Sequence, residues 1–277
     1  MKHILVPIDF SSDSINALEH SIMIANKLSM NLMMIHVKRK NADYDPSFNL
    51  NDFDEVVRSG VIDNFEQIVH QYQKQLQGTF HYRIREGRIY TEICHQAKYG
   101  DAEMIIMGTH GVSGFEEKWV GSNAFRVVSN AICPVLTTRY SFPKRPIKKI
   151  VMPIDISKDT RLKVPKTVEL ALIFGAELHV VDVRDNNKSS TKKILEEYML
   201  QIGIYLKRHK VKWVHESLKG KNLTSSIIEH ALLMDADLIS IMNEQNEKAR
   251  NIWLGPYAQQ MVNHSPVPVL SFQSAGD

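Results

Sequence analysis

Only two cysteines occur in 277 residues, Cys94 and Cys133, far apart and without a C-x-x-C pair. That supports neither a disulfide framework nor a zinc site, so both read as small core residues. Charge of one sign is also scarce: 34 Lys and Arg against 31 Asp and Glu leave a net +3, spread evenly. A nucleic-acid footprint needs a concentrated basic patch. The two local basic runs, Lys38-Arg39-Lys40 and Lys144-Arg145-Pro146-Ile147-Lys148-Lys149, read as solvated loop ends. No apolar run reaches membrane-spanning length, and Asp9 comes too early in "MKHILVPIDF" for a secretory leader. The expectation is a soluble, cytoplasmic protein with no nucleic-acid or membrane partner. Catalytic patterns are missing as well. The chain has no nucleophile elbow, no H-E-x-x-H, no Walker loop and no G-x-G-x-x-G. It also lacks the S-G-G-x-D-S, H-x-G-H and K-M-S-K-S motifs of adenylate-transferring enzymes.

What the chain has is itself, twice. "KHILVPIDFS" recurs as "KKIVMPIDIS", "NLMMIHVKR" as "ELHVVDVRD", "YGDAEMIIM" as "LMDADLISI" and "WVGSNAFRVVSNAICPVL" as "WLGPYAQQMVNHSPVPVL". Order and spacing are kept, apart from a shorter middle in the second copy. This is a duplication. Its boundary falls in the polar, proline-containing stretch 140–148, giving expected domains 1–140 and 147–277.

Each copy alternates short apolar runs with amphipathic segments. In the first copy, strands are expected over residues 3–8, 31–37, 79–84, 104–107 and 135–138. Helices follow Ser11-Ser12-Asp13, which can cap the first, and are expected on Val61, Phe65, Ile68, Tyr72 and Leu76, over 89–98 and over 122–131. This pattern predicts an α/β fold: two tandem five-stranded parallel sheets with helices on both faces. In such sheets ligands bind beyond the carboxyl ends of the strands where the winding reverses. If the winding goes out from strand one and returns past it, that point lies between strands one and four. There Asp9-Phe10-Ser11 would meet the glycine-rich segment "MGTHGVSGFEEKWVGSNAFRVV".

Four glycines in that segment have two readings. Glycine eases a long surface loop back to the sheet. Alternatively, missing Cβ atoms let backbone N–H groups approach an anion, which the helix start at Gly121-Ser122 then holds.

The segment's spacing resembles that of the universal stress protein family in its tandem form, and the resemblance implies the second reading. Gly108, Gly111, Gly121 and Ser122 match that family's G-x2-G-x9-G-[ST] motif, and "VPIDFS" and "IHV" look like the family pattern. The resemblance implies a strand order of 3-2-1-4-5 and binding of ATP, or of AMP or ADP, with or without Mg. It also implies roles: Asp9 for the ribose hydroxyls, Val37 for the adenine edge, and Gly108, His110, Gly111, Gly121, Ser122 and Asn123 around the phosphates. Pro7, Ile8, Ser11 and Met107 complete the implied binding set. Ile89 departs from the family, which often has proline there. His110 could also orient an attacking water, whereas His36 reads as a satisfied core histidine. The stretch 38–54, with Tyr44, Phe48 and Phe53, covers the adenine, contacts a partner or is a disordered loop.

The second copy departs at the motif. Met242 stands at the position of Gly108, Glu244 at His110, Gln245 at Gly111 and Pro256 at Ser122, while Gly255 remains. Each change opposes phosphate, although Asp155 persists. The expectation is therefore one nucleotide per chain, in the first half. The protein would be a switch acting on unknown protein partners, with slow hydrolysis at most. An ATPase or nucleotidyl transferase using His110, and a nucleotide-free scaffold, are the rivals. The last strands of the two copies are expected to pair within the chain as a pseudo-dimer, with a homodimer as a further possibility.

Overall fold

The computed structural model describes residues 2–39, 50–109, 121–157, 159–184, 189–220, 222–243 and 256–273. The first half runs β1 (His3–Pro7), α1 (Ser12–Leu28), β2 (Asn31–Lys38), α2 (Leu50–Tyr72), β3 (Phe80–Glu86), α3 (Ile89–Tyr99), β4 (Ala102–Gly108), α4 (Ser122–Asn130) and β5 (Val135–Thr138). The second repeats the order with β6 (Lys149–Ile154), α5 (Val164–Phe174), β7 (Glu177–Arg184), α6 (Ser189–Arg208), β8 (Trp213–Lys219), α7 (Leu223–Leu233), β9 (Leu238–Asn243), α8 (Pro256–His264) and β10 (Val269–Gln273). Every element expected in the first half is present. The largest difference is α2, which starts at Leu50 rather than Val61, so part of the stretch read as a loop or cover is helical. Tyr44 and Phe48 lie outside the described residues.

Local chemistry explains the ends of α1. Ser11 is extended and its hydroxyl accepts from the Ser14 N–H, while Asp13 lies in the first turn and Lys27 in the last, both complementing the helix dipole. Ser29 closes the helix in the left-handed conformation, returning its N–H to Ala25 O.

The strands form one ten-stranded sheet in the order β3-β2-β1-β4-β5-β10-β9-β6-β7-β8. Among the described residues all pairs within each half are parallel, and β5 and β10 alone are antiparallel. The two halves are thus joined through their last strands, as an intramolecular pseudo-dimer. Pro134 and Pro268 stand one residue ahead of these strands and serve as acceptors, taking the Ile105 and Ile239 N–H groups at 2.9 Å. Proline tolerates this place because no donor is needed there. Neighbouring side chains tie the halves further: the Asn243 and Gln273 amides donate to Val128 O at 3.1 and 2.8 Å.

Strand alternation divides the core between two faces. Ile4, Val6 and Ile106 meet Leu18 of α1 and Phe65 of α2 on one face. Leu5, Ile35 and Ile105 meet Ile93 of α3 and Val127 of α4 on the other. Cys133 is buried and Cys94 half-buried; burial pushes their thiols up to about 12 and about 11, so both are inert packing residues. The basic run before β6 is only partly solvated. Arg145 pairs with Asp235 at 2.7 Å and Asp237 at 2.5 Å, and Asp237 also accepts the Lys148 and Lys149 N–H groups. A charged side chain held by two carboxylates anchors the linker, which a sequence run of like charges does not reveal. Among the described residues no helix is long and apolar enough to cross a membrane.

Candidate functional site

The carboxyl ends of β1, β2 and β4 and the start of α4 surround a cleft of about 150 Å³. Pro7, Ile8, Asp9, Val37, Met107, Gly108, Gly121, Ser122 and Asn123 all line it. These are most of the residues expected from sequence, brought together from four separate stretches. Ser11 stands behind them: its N–H and hydroxyl donate to Asp9 Oδ1 at 3.1 and 2.5 Å, so it orients the carboxylate. His110 and Gly111 lie outside the described residues.

The β1–α1 loop is held under strain. Phe10 has φ +65, a left-handed conformation uncommon for a bulky residue. Its ring stacks on His36 at 5.1 Å and meets Phe65 edge-on at 5.4 Å, which holds the turn in place. His36 also donates from Nδ1 to Ile8 O at 2.8 Å. It is satisfied, as expected, but it lines the cleft too.

The glycines do different work from one another. A Cβ on Gly108 would lie 2.9 Å from both Cβ and O of Asp13, so this glycine lets the first turn of α1 approach β4. Gly121 donates its own N–H to Thr109 O at 2.7 Å, closing the two ends of the segment 110–120 on each other. Its amide is therefore occupied. The donors directed outward are those of the first α4 turn. Among the described residues no side chain caps this helix, and the first N–H turned back toward its start is that of Phe125, to Gly121 O. The N–H groups of Ser122, Asn123 and Ala124 precede it, at the positive end of the helix dipole.

Several lining residues were not foreseen: Ile35, His36, Arg39, Ile93 and Thr109. Strand alternation could have suggested Ile35, two residues before Val37. Arg39 was read as part of a solvated run; it is exposed, but at the cleft wall. Ile89, the position that departs from the family, also forms part of the wall, at the first residue of α3. The cleft thus offers an apolar slot, a carboxylate suited to hydroxyl donors, and helix N–H groups with an arginine suited to an anion.

The second half keeps one part of this. Ser157 donates its N–H and hydroxyl to Asp155 Oδ1 at 2.9 and 2.6 Å. Beyond that the halves diverge. A short turn of 3-10 helix (Asp159–Arg161) precedes α5, and the Thr160 hydroxyl accepts the Asp155 N–H at 3.2 Å. Met242, at the position of Gly108, is 4% exposed and packs in the core. α8 starts at Pro256, which has no N–H to offer. Glu244, Gln245 and Gly255 lie outside the described residues.

Two doubly wound α/β halves fused through their last strands, one with a polar-and-apolar cleft at the winding reversal, define a tandem protein of the doubly wound α/β class. The chain belongs to the universal stress protein family: the family's model matches residues 1–139 and again 146–272. It is 30% identical over 143 residues to a universal stress protein of Methanocaldococcus jannaschii, covering 50% of this chain and 82% of that one. A Bacillus subtilis universal stress protein is 28% identical over 147 residues, covering 49% of this chain and 97% of its own. The crystal structure of a universal stress protein from Archaeoglobus fulgidus superposes with a TM-score of 0.75 at 17% identity, covering 98% of this chain and 96% of that chain. That match extends the fold likeness over both halves.

Proposed function

We propose that this protein binds an adenine nucleotide, ATP or its ADP or AMP form, with or without Mg, in the cleft of its first half. It acts in the cytoplasm as a nucleotide-dependent switch in the stress response, through protein partners of its own. The observation that carries this reading is the convergence of Asp9 and the uncapped start of α4 on one cleft. Asp9 and the helix start line the same cleft, a carboxylate suited to a sugar diol and N–H groups suited to phosphates, and Val37, Ile89 and Ile93 leave an apolar slot for a planar base. Arg39 adds a cation at the wall. Domains 1–140 and 147–277 then have unequal roles, the second supporting the first.

Hydrolysis is slow in this reading, because phosphoryl transfer needs an oriented water and fixed positive charge on the transferred group. Turnover is expected below about 1 per second, far under ordinary enzymes. The direct test is mass spectrometry of small molecules released from the purified protein, followed by calorimetric titration with ATP, ADP and AMP. Release of adenine nucleotide with a stoichiometry near one supports the reading. Absence of binding to all three removes it, and several turnovers per second abolished by His110→Ala would make the protein an enzyme.

A further inference from the structure

On the far side of the second half, three side chains converge that no duplication explains. His179 on β7, Glu216 on β8 and His230 on α7 each present one donor atom, all within 4.8 Å of one another. Their positions follow from the register. Val181 pairs with Glu216, so His179 and Glu216 point to the same face of the sheet two residues apart along β7. α7 packs on that face through Ile227 and Ala231, with His230 between them in sequence.

Both histidines are sealed in the structure, His179 at 5% exposure and His230 at 7%. Among the described residues, neither ring nitrogen of His179 makes a hydrogen bond, nor does Nε2 of His230. Glu177 Oε1 lies 3.1 Å from His179 Nε2, near enough to attract it but outside hydrogen-bonding alignment. Buried polar atoms without partners cost of the order of 1–3 kcal/mol each, so an occupant that engages one nitrogen of each ring is favoured.

We infer that His179, Glu216 and His230 form a binding site for a divalent transition-metal ion, Zn2+ being the natural fit. Two imidazoles and a carboxylate are a usual three-ligand zinc set, which leaves a fourth position for water. Tetrahedral ligation at about 2.0–2.1 Å spaces donor atoms about 3.3–3.5 Å apart. His230 Nδ1 and Glu216 Oε2 already stand 3.7 Å apart, so the ion needs only side-chain rotation to draw the set together. Glu216 is exposed and gives the ion its way in. Glu177 then serves as the carboxylate that ligating histidines commonly pair with.

The fold does not require this trio. The aligned positions in the first half hold Met33, Arg83 and Gln96, and Arg83 would repel a cation. Ile93 and Ala97 beside Gln96 keep the apolar packing of Ile227 and Ala231. The site also lies away from the carboxyl-end cleft, so it is a feature of the second half alone.

The test uses the full chain, stripped with chelator and titrated with Zn2+ alone by calorimetry and elemental analysis. One Zn2+ per chain is expected, with a rise in melting temperature on binding. His230→Gln and Glu216→Gln should each weaken binding at least about tenfold, while His215→Gln, on the opposite face of β8, should leave it unchanged. Co2+ in place of Zn2+ should give the visible absorption of a four-coordinate ion, lost in His230→Gln. Circular dichroism confirms folding, and exposed Glu216 keeps the test sound should a histidine variant unfold. No stoichiometric uptake, or full uptake by folded His230→Gln and Glu216→Gln variants, overturns the site.

Discussion

Leu136 of β5 pairs with Leu270 of β10, which is its own counterpart in the duplicated sequence. On either side Thr137 meets Val269 and Val135 meets Ser271, so each contact is repeated with the roles exchanged. That is the pattern of an isologous two-fold interface, held here within one chain. Leu136→Asp would place a carboxylate on this axis, where both leucines are buried. Denaturant titration should show a loss of about 3 kcal/mol or more, the range for an unpaired buried charge. A change under about 1 kcal/mol would mean that the junction does not hold the halves together.

The same junction predicts what a separated half does. Residues 1–140 alone would expose β5 as a free edge, whose Leu136 can pair with Leu136 of a second copy. Sedimentation should show a dimer, and Leu136→Lys should return it to monomer. A stable monomer with wild-type β5 would contradict this.

Gly108 offers a separate check on packing. Its Cβ site lies within 2.9 Å of Asp13 backbone and side chain, whereas that of Gly121 meets only Thr109 O, at 3.2 Å. Gly108→Ala should therefore cost about 1–3 kcal/mol and weaken nucleotide binding together, because α1 must move. Gly121→Ala should be milder in stability. Equal melting temperatures for Gly108→Ala and wild type would refute the close-approach account.

Much of this was legible in the sequence for physical reasons. Alternation in 3–8 and 104–107 sorts residues between two faces, and Ser11 announces a helix cap by its chemistry. The duplication exposed the junction, since like strands pair well with like. The roles of the individual glycines were not legible. Gly108 answers to Asp13, nearly a hundred residues away in the chain, and Gly121 spends its N–H on Thr109. His36 and Arg39 were hidden for a related reason: strand-end residues turn toward whatever loop stands beside them, and sequence spacing does not name that neighbour. The trio His179, Glu216 and His230 has no local spacing at all, since three different elements supply it.

His20 predicts how stability responds to acid. It is buried on α1, facing Phe142 O at 3.5 Å, with Glu19 and Lys144 as the nearby charges. Burial lowers its pKa below the ordinary 6.5, against smaller raising effects from Phe142 and Glu19. Above that pH the group is neutral folded or unfolded and contributes nothing. As pH falls through 6.5 the unfolded chain takes up a proton that the folded state resists, so stability declines. Melting curves for wild type and His20→Gln should converge in shape above neutrality, with the variant losing less between pH 7 and 5, the window about that pKa. Parallel declines would show that His20 is not a source of the acid sensitivity.

Asp9 and Asp155 provide the sharpest contrast between the halves. Both carboxylates accept from a serine two residues on, with nearly the same geometry. Asp9 shares its cleft with the uncapped start of α4 and an apolar slot, whereas the Asp155 N–H is bonded to the Thr160 hydroxyl and the counterpart of α4, α8, begins at a proline. A charged hydrogen bond to a ligand hydroxyl is worth about 1.5–3 kcal/mol, or roughly ten- to a hundredfold in affinity. Asp9→Ala should therefore weaken adenine nucleotide binding by that factor, while Asp155→Ala leaves affinity and a stoichiometry near one intact. Gly121→Pro, which deletes the N–H bonded to Thr109 O, should remove binding altogether. Two equivalent sites in calorimetry, or a loss with Asp155→Ala equal to that with Asp9→Ala, would mean that the second half binds nucleotide as well.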